Sequence, residues 1–248
     1  MRTRNSLFAA LFIGLISATV CAAPIEGKLV GWGDNRYGQT NVPAGDDFVA
    51  IAAGVYHSLA LKSDGSMAAW GRNNFGQVNA PAGNDFVAIA AGYSHCLALK
   101  SDGSLAAWGS NYYGQTYVPA GNNFVAIAAG ANHTLTLKSD GSMARWGYNS
   151  SGQTTMPAGN DFVAIAAGGH YNLALKSDSS LTGWGNNIYE QANVPAGNGF
   201  VAVAAGVYHG LAIQVPEPAS WMLVGMAFAA ALGRRRRIGE KRRCARVS

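Results

Sequence analysis

A five-bladed β-propeller closed by its N-terminal strand is the fold this chain predicts, and three observations lead to it. Trp32, Trp70, Trp108, Trp146 and Trp184 are each followed by Gly and stand 38 residues apart. A fixed period of about 20–50 residues marks an array whose units bury their apolar faces on one another. Within each period the apolar runs are short, bounded by Gly and Asp-Gly, and free of helical periodicity, so the body reads as all-β. Finally, the array opens on Lys28-Leu29-Val30-Gly31-Trp32-Gly33, the last run of a unit, and closes on Phe200–Ala205 and His209–Gln214, the early runs of one. The two fragments complement each other, and a ring in which the first completes the last removes both exposed sheet edges.

Taken in chain order, Arg2 and Arg4 followed by the apolar run Leu7 to Val20 and by Cys21-Ala22-Ala23 read as a secretory signal over residues 1–22. Cleavage after Ala22 is preferred to Ala23, because Pro24 is a poor residue to follow a cut. Residues 23–27 form a short linker, and the repeats occupy 28–214. In the first complete unit Phe48–Ala53, His57–Lys62 and Met67–Trp70 read as strands, and Asp64-Gly65 as the hairpin turn between the last two. Leu59 and Leu61 fall on one face and Ala60 on the other. The Ala-Ala-Gly segment suits crowded packing. Asp102-Gly103 and Asp140-Gly141 repeat the turn, whereas Asp178-Ser179 loses the glycine and predicts a looser one.

The formal charge of +5 misleads about partners. Between residues 24 and 233 there are eight basic and twelve acidic side chains, a net of about −4; the excess of arginine lies at the chain ends. Nucleic-acid binding by counterion release needs a basic face on the folded body, and this body offers none. Of the three cysteines only Cys96 lies among the repeats, so no internal disulfide framework is expected, and Cys96 reads as a small buried side chain.

The pattern Trp-Gly-x-Asn-x-x-Gly-Gln, Ala-Ala-Gly-x-x-His-Ser-Leu-Ala-Leu and Asp-Gly-x-x-x-x-Trp-Gly resembles the repeat of the regulator of chromosome condensation family, over residues 28–214. The resemblance implies β-propeller blades. The units here are shorter than the usual repeat of that family, and its type member has seven blades. Its guanine-nucleotide exchange activity is not carried over, since an exported, mildly acidic body meets neither the nuclear GTPase nor chromatin. After the repeats, Val215-Pro216-Glu217-Pro218, the apolar stretch 219–233 and Arg234, Arg235, Arg236 and Arg237 resemble a PEP-CTERM sorting signal over residues 215–248. That resemblance implies handling by a membrane exosortase and association with bacterial exopolysaccharide or biofilm. As a helix the 15 residues of 219–233 span about 22 Å, short of a roughly 30 Å hydrocarbon core unless the arginines snorkel. The basic end 234–248 stays cytoplasmic by the positive-inside rule, leaving the repeats outside.

No catalytic, metal or cofactor site stands apart from the repeat. His57, His95, His133 and His209 recur with the period, Tyr171 holding the place in the fourth copy with His170 one residue earlier, and are expected to bond a neighbouring strand or loop rather than share an ion. Asp64, Asp102, Asp140 and Asp178 are turn formers, and Asp47, Asp85 and Asp161 precede the Phe strand, so the non-equivalent carboxylate pair of a glycosidase is not apparent. The segment after each Trp-Gly offers candidate ligand residues: Tyr37 with Gln39, Phe75 with Gln77, Tyr113 with Gln115, and Tyr189 with Gln191. An aromatic ring beside an amide suits a sugar, stacking on its face and bonding its hydroxyls. A competing reading makes Asn and Gln the partners of loop backbone groups, and their recurrence in all five copies favours it. Arg36, Asn74, Tyr112, Ser150 and Ile188 differ between copies and are the expected specificity positions.

Together these readings predict an exported, non-catalytic surface or matrix protein of a Gram-negative envelope, anchored transiently in the inner membrane and associated with exopolysaccharide. The alternative is a protein–protein platform in the envelope; a glycan-active enzyme or an exchange factor ranks behind both.

Overall fold

The computed structural model of the protein describes residues 26–215. The expected signal peptide (1–22), most of the linker, the motif Pro216-Glu217-Pro218, the apolar stretch 219–233 and Arg234–Arg237 lie outside the described residues.

The described chain is a series of antiparallel sheets, of the kind stacked in a β-propeller. The first sheet comprises β1 (Phe48–Ala53), β2 (His57–Lys62) and β3 (Met67–Gly71). The second comprises β4 (Phe86–Ala91), β5 (His95–Lys100) and β6 (Leu105–Gly109), and the third β7 (Phe124–Ala129), β8 (His133–Lys138) and β9 (Met143–Gly147). The fourth holds β10 (Phe162–Ala167), β11 (Tyr171–Lys176) and β12 (Leu181–Gly185), and the last is the pair β13 (Phe200–Ala205) and β14 (Gly210–Gln214). The registers repeat: Leu59 faces Ala69 as Leu97 faces Ala107 and Leu135 faces Arg145. Each first strand bulges at the residue after its Phe, as between Phe48 and Ala50.

Period-two alternation gives each sheet two apolar faces, and the faces of successive sheets make the core. Leu59 and Leu61 of β2 pack on Ile89, Ala91, Cys96 and Ala98 of the second sheet. Leu97 and Leu99 then pack on Ile127 and Ala129, and Leu135 and Leu137 on Ile165, Ala167 and Ala174. The crowding expected at Ala-Ala-Gly is real: a Cβ on Gly54 would meet the ring of His57 and, at 2.8 Å, the carbonyl of Gly92 in the next sheet.

Two expectations are corrected. Asp178-Ser179 is not looser than its counterparts. Ser179 takes φ 64° where Gly65 takes 82°, and the Ser179 amide still donates to the Lys176 carbonyl at 3.0 Å, as that of Gly65 does to Lys62. The Asp side chain holds the turn, since Asp178 Oδ1 accepts from the Ser180 amide at 2.9 Å. The second correction concerns closure. Residues 28–33 form no strand and do not join β14, whose sheet contains only β13 and β14. Instead Gly27 bridges Phe48, and residues 27–32 line one side of a cleft against β1. The loop that follows keeps them beside the first sheet: Gln39 O accepts from Ser58 Oγ at 2.9 Å and from Trp70 Nε1 at 2.8 Å.

Candidate functional site

Each loop after a Trp-Gly strand is pinned by the two amides that recur. Asn35 Oδ1 accepts from the Thr40 amide at 3.0 Å, and Gln39 Oε1 from the Tyr37 amide at 2.9 Å. The same Gln bond holds Phe75 to Gln77, Tyr113 to Gln115, Ser151 to Gln153 and Tyr189 to Gln191, each at 2.8–2.9 Å. Gln77, Gln115, Gln153 and Gln191 are buried. The glutamines among the candidate ligand residues therefore face inward and bond backbone, which is the competing reading of these amides. Their main-chain carbonyls also work. The Gln carbonyl of each of the first four loops accepts the indole N–H of the next sheet's Trp, as Gln77 O does from Trp108 at 3.0 Å and Gln115 O from Trp146 at 2.8 Å.

The histidines behave as the same logic requires. His57 Nε2 lies 3.1 Å from Cys96 Sγ, His95 Nε2 3.3 Å from Thr134 Oγ1, and His133 Nε2 2.8 Å from Asn172 Oδ1. Each of those partners in turn donates to a Gln carbonyl: Cys96 to Gln77, Thr134 to Gln115 and Asn172 to Gln153. Since Asn172 Oδ1 can only accept and Thr134 has spent its proton, the rings donate through Nε2. Burial holds their pKa values at about 4, 3 and 4 for His57, His95 and His133, well below the ordinary imidazole. In the fourth sheet Tyr171 takes the place, and its hydroxyl donates to the His209 carbonyl. Burial likewise pushes the Cys96 thiol up, as suits a small structural side chain.

Seven of the acidic residues are occupied at the opposite ends of the strands. Asp47, Asp85 and Asp161 pair with Lys62, Lys100 and Lys176 at 3.2–3.4 Å. Asp64, Asp102, Asp140 and Asp178 cap their turns, and hydrogen bonds from Ser66, Ser104, Ser142 and Ser180 lower their pKa values. Among the described residues no group of three or more His, Cys, Asp or Glu side chains is placed to hold a metal.

What remains exposed at the loop ends is aromatic. The residue before each second strand lies beside the residue after the third, because His57 faces Gly71 in the register and the Arg72 amide donates to the Tyr56 carbonyl at 2.8 Å. The loop ring completes the cluster. Tyr37 and Tyr56 have centroids 5.0 Å apart, and Tyr56 and Tyr93 6.2 Å. The Arg72 guanidinium sits 5.0 Å from the Tyr37 ring and 5.6 Å from that of Tyr56. A second cluster joins Tyr113 to Tyr112 at 4.8 Å and to Tyr148 at 4.6 Å, with His170 a further 5.7 Å from Tyr148. Tyr189 meets Tyr208 at 5.4 Å in a third. Tyr37, Phe75, Tyr113 and Tyr189 are all exposed, as are Tyr112 and Ile188 among the positions that differ between copies. Sequence reasoning missed Tyr56, Arg72, Tyr93, Tyr148 and Tyr208. The signal was present, since these positions also vary between copies, those of Arg72 and Tyr148 between an invariant Gly and an invariant Asn.

Comparison with known proteins supports the repeat and the tail. The profile of the regulator of chromosome condensation (RCC1) repeat matches residues 48–77, 86–115 and 124–153, and the PEP-CTERM protein-sorting motif matches residues 214–237. No curated protein matches. Among solved structures the chain resembles Prp20p of Saccharomyces cerevisiae, whose report describes binding to Gsp1p and histones. The TM-score is 0.59 at 19% identity, covering 73% of this chain and 59% of that one. It also resembles the ectodomain of the receptor kinase CR4 of Physcomitrella patens, with TM-score 0.62 at 26% identity over 76% of this chain and 53% of that one. The ectodomain of the Arabidopsis thaliana receptor kinase ACR4 gives 0.52 at 23% identity, over 68% and 60%. The chain thus spans a little over half the length of these structures.

Proposed function

We propose that this chain, with its RCC1-type repeats and PEP-CTERM motif, is an exported envelope scaffold whose aromatic clusters hold polysaccharide. The sorting motif implies recognition by a membrane exosortase and export to the envelope of a Gram-negative bacterium. The scaffold is read as five blades, one per sheet. The observation that carries the sugar reading is the grouping of Tyr37, Tyr56 and Tyr93 with Arg72 on exposed loop ends. Rings tilted against one another offer faces at several angles, which suits the apolar faces of a pyranose, and a guanidinium beside them can donate to hydroxyls or uronate oxygens. The glutamines play no part in the site, because their Oε1 atoms accept from loop amides and the side chains of Gln77, Gln115 and Gln191 are buried. No nucleic-acid partner is proposed.

The test is retention of the full-length protein on the producing cell's own exopolysaccharide. Tyr37→Ala combined with Tyr56→Ala is expected to reduce retention at least tenfold, with an unchanged circular dichroism spectrum. Unchanged retention, in a protein shown to be folded, would defeat the sugar assignment.

A further inference from the structure

The two ends of the array are the two halves of a junction the molecule already makes four times. At each internal junction the Leu face of one sheet meets the Ile-Ala face of the next. The Ile-Ala face of the first sheet meets no such partner, and Ile51 is 58% exposed. The Leu face of the last sheet is also bare: Leu211 is 66% exposed, whereas its counterparts Leu59, Leu97 and Leu135 are at 0%.

Residues 28–33 sit as the third strand of a sheet that would precede the first. A Cβ on Gly31 would meet Thr40 O at 2.6 Å, and one on Gly183 of β12 would meet the equivalent carbonyl of Ala192. Between this orphan segment and β1 lies an open cleft of about 460 Å³, lined by Leu29, Val30, Trp32, Ile51, Ala53 and Trp70 among others. The cleft stands where the first two strands of that preceding sheet belong. The last sheet is the reverse case, two strands lacking a third. The polar chain carries the same signature. His209 is exposed, whereas His57, His95 and His133 are buried on a residue of the following sheet. At the other end Ser58, counterpart of Cys96, Thr134 and Asn172, receives no histidine from a preceding sheet.

We propose that β13–β14 of one copy seats in the cleft of a second copy, and that the chain assembles head to tail. Continuity with the four internal junctions selects this occupant. The new junction reproduces their register, placing Leu211 opposite Gly31 and Ala212 opposite Val30 of the neighbouring copy, as Leu59 stands opposite Ala69 and Ala60 opposite Ala68. It covers the open edge of β14 by strand addition, buries Leu211 and Ile213 against Ile51, and gives His209 the Ser58 hydroxyl as partner. Within one chain these ends remain apart, both faces being exposed, so the contact is heterologous and propagates instead of closing on a pair. This assembly is independent of the sugar reading.

The experiment uses full-length chains in mild detergent, in a cysteine-free background (C21A, C96S, C244S). Serine at position 96 follows Ser58, which fills the equivalent place in the first sheet. Single variants Val30→Cys and Ala212→Cys are mixed and gently oxidised. A covalent heterodimer at least tenfold above the level formed by Val30→Cys with Ser63→Cys, a turn position, is expected, and Leu211→Asp in the second chain is expected to abolish it. A chain bearing both cysteines is expected to form a ladder of multimers. Background-level heterodimer, or a double variant that crosslinks only within itself, overturns head-to-tail assembly; the latter result would instead mean ring closure.

Discussion

His57, His95 and His133 each spend their one N–H on a neighbouring sheet and keep an unpaired Nδ1 in the interior. A proton added at Nδ1 would place a charge where no counter-charge waits, which is why burial depresses the three pKa values to about 3–4. The consequence for stability has a definite sign. Unfolded histidines take up a proton near pH 6.5 while the folded ones do not, so acid favours the unfolded chain. Stability is therefore expected to be flat above about pH 7 and to fall steadily between about pH 6.5 and 4. The turn aspartates, shifted below the ordinary carboxylate, lose their contribution only at lower pH. Urea midpoints at pH 7.5, 6 and 5 would read the effect, and His133→Gln should flatten the slope. A midpoint independent of pH across that window would contradict the buried neutral rings.

At the scale of the element, the strands and hairpins were legible because Phe-Val-Ala-Ile-Ala-Ala and the Asp-Gly turns state them directly, and the structure returns the same bounds to within a residue. The turn at Asp178 keeps its form without glycine because the aspartate side chain holds it. Ser179 and Glu190 are the two non-glycine residues of the described chain with positive φ, and each stands where the other copies have glycine. A side chain in that region costs about 1–2 kcal/mol, partly offset because glycine gains more freedom on unfolding. Ser179→Gly and Glu190→Gly should each raise stability by about 0.5–1 kcal/mol, and together roughly additively, since they lie in separate loops. Thermal melts of the single and double variants would test this, and a net loss would show that these side chains hold contacts worth more than the strain. The candidate site was only half legible for a related reason. Recurrence marks what holds the unit, so Asn and Gln were visible as scaffold, but which variable positions converge depends on registers such as His57 opposite Gly71. Tyr56 and Arg72 meet Tyr37 through that pairing, and no spacing along the chain announces it.

For the whole molecule, stability in a stacked array is close to a sum of unit and nearest-neighbour terms. The second, third and fourth sheets have neighbours on both faces and the end sheets on one. Hydrogen exchange in dilute solution should therefore be graded, with amides of β5 and β8 slowest and those of β14 faster by at least tenfold. Uniform protection across all five sheets would mean that the ends have joined. The closure expected from sequence rests on complementarity of the two end fragments, which the structure retains. What sequence could not convey is the seating of residues 28–33, held against the first sheet by a loop whose carbonyl Gln39 offers to Ser58 and Trp70.

That carbonyl clamp has a genetic corollary. From the first sheet to the fourth, each unit reaches back to the preceding loop through the same pair of donors and offers its successor the same kind of acceptor, with both halves encoded inside one 38-residue period. Unequal crossing-over between copies, in frame, would lengthen or shorten the array by whole units while leaving every clamp matched. The coding sequence is thus preadapted to change the reach of the protein in discrete steps, without passing through an unfoldable intermediate.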